Sequence, residues 1–467
     1  MTTSEAIVAY YQQTAVRARI AEYCGGHESY PTRLSALGLA GFGGRRQLHQ
    51  QDMAPVPADR PELGGLLDDG ADVCRSLGDR SGTLIQLDID YVSPDDRAEP
   101  SRDPAACFER LEPVYRAVRD ELARFGVTAL VLMTGRGYHF TVRAPLGAPL
   151  HSDLISIATL SPALRARYQA EESQVPLALS MGWAHEGAGR LMEYLAHEVL
   201  RAVRGRTEVP VTAADLPPPG RGPFICLDLT AYGDPLSSRY ARCAFSSHQK
   251  AEATASAPEQ PFVVALPRGA LSLPELLVAR SMPGAAARLA EVSNARIPDV
   301  DEAPVWVSAY QESALARFHR QFDAAAPAPP LATEMYAKIP PGALPKCVRQ
   351  AIHRPHPGLL VPMALRAVTL VLWARGWHPR RVADLVRSRY ESDQGWGDLW
   401  QRYEPAARAD FYSRLFAGLV VGGLDHVSDF TCASQQQRGG CPGGECGHEL
   451  RELFPVPARV RSLGAAS

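Results

Sequence analysis

Residues 84–92, Leu-Ile-Gln-Leu-Asp-Ile-Asp-Tyr-Val, constrain this chain more than any other stretch. The run is apolar and β-branched, which favours a strand, yet it carries Asp88 and Asp90. Residues i and i+2 of a strand point to one face, so the two carboxylates project together. They repel unless a cation lies between them, and hard divalent cations take oxygen ligands. Residues 132–140 form a second apolar run that breaks into Thr134-Gly135-Arg136-Gly137-Tyr138-His139. A Gly-rich turn with Arg and His suits phosphate. Residues 223–250 place Asp228 in another strand-like run, followed by Arg242, Ser246, His248 and Lys250. A divalent-metal site beside a phosphate site is an arrangement suited to nucleotidyl transfer.

The rest of the composition sets bounds. The length of 467 residues implies two or three domains, and 46% hydrophobic with 21% charged residues fits a globular chain. No apolar run approaches the roughly 20 residues that span a bilayer. The N-terminus, MTTSEAIVAYYQQ, has no basic-then-apolar leader, so a cytoplasmic protein without membrane contact is expected. The net charge of −2 excludes a global basic field, so any nucleic-acid contact must be local. Residues 346–389 supply one: nine Lys or Arg face a single acid, Asp384, with Trp373, Trp377 and His378 interleaved. Phosphates attract such cations and bases stack on such rings; a solvated basic helix face would read the same way.

Strand-like and helical runs alternate over 81–310, with helices expected over 106–125 and 189–204. We therefore expect an α+β catalytic domain over 1–310. An Ala- and Pro-rich linker is expected over 311–332, and an all-α, metal-binding domain over 333–467. Helical periodicity is clearest at 359–376, 379–390 and 405–421. Cys432, Cys441 and Cys446 lie in or near a Gly-rich loop, where clustered cysteines signal metal in a cytosolic chain. Cys347 is the candidate fourth ligand, with His448 and His426 as rivals.

The three motifs together resemble the archaeo-eukaryotic primase superfamily. Asp88-x-Asp90, then Thr134-Gly135-Arg136-Gly137-Tyr138-His139, then Asp228 with Arg242-x3-Ser246-x-His248 match its order, with Thr134 where Ser is commoner. The resemblance implies an RRM-like sheet on which Asp88, Asp90 and Asp228 hold two Mg²⁺ or Mn²⁺ ions. It implies that Thr134, Arg136 and His139 meet the incoming triphosphate, and that Arg242, Ser246 and His248 meet its phosphates or sugar. Lys250, one of three lysines in the chain, joins them as a candidate.

The C-terminal part is similar to the iron–sulfur domain of the primase large subunit, through Pro345, Cys347, Gly376, Cys432, Cys441 and Cys446. That resemblance implies a [4Fe–4S] cluster on the four cysteines; zinc is the alternative, because four thiolates serve either metal. It also implies template contact by Arg349, Arg354, His356, Arg366 and Arg380. The expectation is a DNA primase-polymerase that uses nucleoside triphosphates on single-stranded DNA. A gap-filling or end-joining polymerase and a nucleic-acid-binding module of a plasmid, defence or CRISPR-linked complex are the alternatives. No G-x-x-x-x-G-K-[ST] motif occurs, so unwinding would need a separate helicase.

Overall fold

A computed structural model describes residues 3–26, 34–37, 56–58, 63–79, 81–172, 177–216, 218, 222–236, 239–248, 261–267, 271–325, 328–353, 362–391, 404–425, 430–437, 440, 441 and 443–454. Lys250, Arg354, His356 and His426 lie outside the described residues. The described chain is mixed α/β, with a mixed sheet and a helical C-terminal part. No helix among the described residues is long and apolar enough to cross a membrane.

Eleven described strands form two sheets. The smaller sheet is antiparallel, in the order β10 (Tyr240–Arg242), β3 (Asp72–Ser76), β1 (Leu34–Leu37), β2 (Val56–Ala58). The larger runs β11 (Val264–Ala265), β6 (Leu130–Met133), β7 (Gly137–Pro145), β5 (Gly82–Val92), β9 (Phe224–Asp228), β8 (Val211–Thr212), and β4 (Gly78–Asp79) also pairs with β5. Among the described strands only β8 and β9 pair parallel to each other. β5 is thus an interior strand, flanked by β7 and β9.

Its burial alternates as the sequence requires. Leu87, Ile89 and Tyr91 are buried, whereas Asp88 and Asp90 are only partly covered. The buried face meets helices Pro104–Arg124 and Ala178–Val203, which also pack on each other. The first starts at Asp103, whose side chain accepts from the Ala106 amide at 3.1 Å, with Pro104 in the first turn. Its Cys107, Phe108, Leu111, Val114, Val118 and Leu122 form one apolar stripe. Phe108 and Tyr115 close on Tyr138 of β7 at 5.2 and 4.8 Å between ring centres. The neighbouring residue His139 is thereby directed to the opposite face, with the carboxylates.

The stretch 311–332 differs from the expected linker. It is occupied by helices Ala314–Ala324 and Pro329–Ala337, and Phe318, His319 and Phe322 are buried. Alanine favours helix, and Pro329 falls in the first helical turn, where proline is tolerated; the composition that suggested a spacer builds helices here. Among the described residues one apolar core cluster includes residues from both parts, Ile7 to Leu450. Helix Pro405–Val421 is the main bolt between the two parts. Its Arg414 reaches Glu193 at 2.5 Å and Glu186 at 2.6 Å, and Arg408 reaches Asp234 at 2.8 Å. His319 Nε2 lies 3.2 Å from the other Glu193 oxygen. Burial alone would raise Glu193, but Arg414 and His319 overcome it and leave it at about 2.

Candidate active site

Strand register brings the first three motif residues together. Asp88 on β5 lies directly opposite His139 on β7 and opposite Asp228 on β9. Directly opposed residues project to the same face, so three acid or imidazole groups stand in a row across three strands, with Asp90 two residues along. Asp88 accepts from the Gln86 amide at 2.8 Å, and His139 Nε2 lies 3.6 Å from its other oxygen. Asp228 accepts from the Thr230 amide at 2.8 Å. Arg136 reaches Asp90 at 2.7 Å.

The electrostatics report crowding. Burial, then Asp228 and Asp90, push the Asp88 carboxyl well above the usual range. The Asp90 charge, acting against desolvation, raises Arg136. Burial pulls His139 down to about 4, so at neutral pH it is an uncharged imidazole; its Nδ1 is buried without a hydrogen-bond partner among the described residues. One further acid belongs here that sequence reading missed. Asp215, just beyond β8, has its carboxyl raised by desolvation and next by Asp228, with Asp90 adding. No local pattern marks it; only the parallel pairing of β8 with β9 brings it in.

The turn at 134–137 is built on close approach. Gly137 faces Asp90, and a Cβ there would sit 1.8 Å from the Ile89 carbonyl oxygen, so no side chain fits. A Cβ on Gly135 would meet the His248 ring at 2.9 Å, which puts the second and third motifs in contact. Thr134 donates its hydroxyl to the Gly137 carbonyl at 3.1 Å and is buried. Arg242 and Ser246 lie deeper. Both converge on the buried Asp72, Arg242 at 3.3 Å and the Ser246 hydroxyl at 3.1 Å, while Ser246 accepts from the Val73 amide at 2.7 Å.

The four C-terminal cysteines are near enough to act on one another electrostatically. Burial pushes the Cys347 thiol up to about 12, with Cys441 next and Cys432 and Cys446 adding. Cys432 donates to the His448 carbonyl at 3.3 Å. The rival ligand His448 has its Nε2 2.8 Å from the Gly342 carbonyl. Gly443, Gly444 and Gly447 take φ of +81°, +72° and +71°, the left-handed turns that wrap this loop. Among the described residues no three His, Cys, Asp or Glu side chains converge as a preformed metal site, here or at the acids.

The basic stretch is less open than its composition suggests. Arg366 pairs with Asp425 at 3.0 Å, and Arg380 and Arg387 pair with Asp410 at 3.0 and 2.8 Å. Trp373 and Trp377 are core residues. The acids that neutralise these arginines come from sequence outside the stretch. Arg349 and Arg389 carry charge near the Tyr336 hydroxyl; the Nε of both, like those of Arg380 and Arg387, is buried without a hydrogen-bond partner among the described residues, as is that hydroxyl. No family model, no curated protein and no solved structure matches this chain.

Proposed function

We propose that this protein is a DNA primase-polymerase, a nucleotidyltransferase that joins nucleoside triphosphates on a single-stranded DNA template. The observation that carries the reading is the register placing Asp88 beside Asp228 on adjacent strands, with Asp90 and Asp215 near. Asp88 and Asp215, raised by burial and by the neighbouring acid charges, are unfavourable as they stand, and such a cluster becomes favourable around divalent cations, which is the fit expected of Mg²⁺ or Mn²⁺ on oxygen ligands. Asp88, Asp90 and Asp228 would hold them. Such ions lower the cost of charge on the attacking and leaving oxygens of an in-line displacement.

The chain's own groups supply position. Arg136, half exposed and tied to Asp90, is within reach of a triphosphate at the acids and presents a planar fork to it. His139, uncharged and beside Asp88, can donate one hydrogen bond to a phosphate oxygen without adding charge. Arg242 and Ser246 brace the site through Asp72. Their contact with the nucleotide is an expectation of the resemblance, as is the RRM-like character of the sheet. Positioning and charge neutralisation provide the catalysis, with no side-chain base required. In the helical part, contact of Arg349 with the template strand is an expectation of the resemblance, and Arg389 lies with it near the Tyr336 hydroxyl. Cys347, Cys432, Cys441 and Cys446, which act on one another electrostatically, are the thiols that would hold an iron–sulfur cluster or zinc.

The test is synthesis on unprimed single-stranded DNA, with ribo- and deoxyribonucleotides supplied separately. Short products from wild type and none from Asp88→Ala/Asp90→Ala are expected. Extension only when a primer is added would replace initiation with gap filling, and no incorporation under either condition would overturn the enzyme reading.

A further inference from the structure

We propose that Arg280 is a positioning residue for phosphate: its guanidinium holds the carbonyls of Thr134 and Gly135 from behind, so that the amides of Gly135 and Arg136 are turned toward the anion. The proposal rests on the phosphate role of this turn. Arg280 comes from helix Leu273–Ser281, far in sequence from the motifs, and is 3% exposed. Its Nε donates to the Thr134 carbonyl at 2.8 Å and its Nη2 to the Gly135 carbonyl. A trans peptide is planar, with its C=O and N–H pointing in opposite directions. Fixing the carbonyls of 134 and 135 therefore fixes the amides of 135 and 136, which share those planes, on the side away from Arg280.

The remaining carbonyls of the turn are also engaged. Arg136 accepts from the Tyr91 amide at 2.9 Å and Gly137 from the Thr134 amide at 2.8 Å. Among the described residues, by contrast, nothing accepts from the Gly135 or Arg136 amides. The turn is thus polarised, acceptors consumed and donors left over, which is how successive amides make an anion cradle.

Arg280 is also unlike the other buried arginines. Arg75 has Asp79 at 2.7 Å, Arg190 has Asp323 at 2.6 Å and Arg414 has Glu193 at 2.5 Å. Among the described residues no carboxylate pairs with Arg280; it lies over the Phe108 ring at 5.5 Å. Burial pulls it down to about 10, so it stays cationic at neutral pH. An uncompensated buried cation is costly, and an anion bound on the far side of the turn offsets that cost.

The experiment compares wild type, Arg280→Met and Arg280→Lys as full chains. Inorganic tripolyphosphate, adenosine triphosphate and adenosine are titrated calorimetrically, and Mn²⁺ binding is followed by electron paramagnetic resonance. Met is expected to weaken both polyphosphates about 10- to 100-fold, the loss of two charge-assisted hydrogen bonds. Adenosine and Mn²⁺ should stay within twofold. Lys keeps the charge but not the fork, and should recover part of the loss. A folded Met variant that binds tripolyphosphate like wild type sinks the proposal. If Met does not fold, Lys decides: affinity within twofold of wild type overturns it. Wild type that binds Mn²⁺ but no tripolyphosphate removes the phosphate role together with this inference. Polyphosphate binding with the Arg280 dependence intact, but no nucleotide incorporation, would support the inference and remove the polymerase reading alone.

Discussion

Asp88→Asn should make the metal-free protein more stable while abolishing its chemistry. The substitution keeps the shape and can still accept from Gln86, so what changes is one charge. That charge opposes Asp228 directly across the strand pair and Asp90 on the same strand. Two unit charges about 5 Å apart cost about 3 kcal/mol at an effective dielectric constant near 20. Arg136 beside Asp90 offsets part of this, which leaves an expected gain of about 1–3 kcal/mol. The assay is urea unfolding of the full chain in chelator and then in Mn²⁺. In chelator the variant's midpoint should lie above wild type. With Mn²⁺ at a hundred times its dissociation constant, wild type should gain about 2.7 kcal/mol and the variant little. A variant less stable than wild type in chelator, or one stabilised equally by Mn²⁺, would refute the account of these carboxylates as a repulsive cation site.

Three further outcomes are expected. His197 is buried, and burial with Arg201 holds its imidazole down at about 3, so its contribution to stability is complete above the unfolded value near 6.5 and is lost as pH falls toward 3. His197→Gln should remove about 3 kcal/mol of the stability difference between pH 7 and pH 4, and unfolding midpoints with an unchanged pH slope would contradict this. Arg349→Ala and Arg389→Ala should each weaken single-stranded DNA binding uniformly across sequences and reduce the salt slope by about 0.7; an unchanged slope would place these groups off the phosphate path. Purified without oxygen, the protein should be brown, with iron and sulfide lost in Cys347→Ser; a colourless protein that contains zinc would assign the four thiols to zinc.

Much of the candidate site was legible because strand chemistry is local. The alternation of Leu87, Asp88, Ile89 and Asp90 states which residues share a face, and glycine at 137 marks a place where backbone must come close. Helices at 104–124, 362–374, 379–390 and 405–421 likewise follow from apolar periodicity and from proline at their first turns, whereas helix Ala178–Val203 begins well before the expected 189–204. The misreading of 311–332 has the same local origin. Alanine with proline fits a spacer or a capped helix, and burial of Phe318, His319 and Phe322 against distant helices decides between them.

What the sequence determined by itself is the set of elements and the chemistry on each face, since both depend on neighbours a few residues apart. Which faces meet is a matter of long-range packing, and there the tertiary structure decided. It set Asp228 opposite Asp88, brought Asp215 to the same acids, and consumed Arg366, Arg380 and Arg387 in ion pairs with Asp425 and Asp410. It also placed Arg280 behind the Gly turn, from a helix that begins more than a hundred residues later. Charge compensation is pairwise and blind to sequence separation, so which charges remain open for a ligand becomes known only when every partner has been placed.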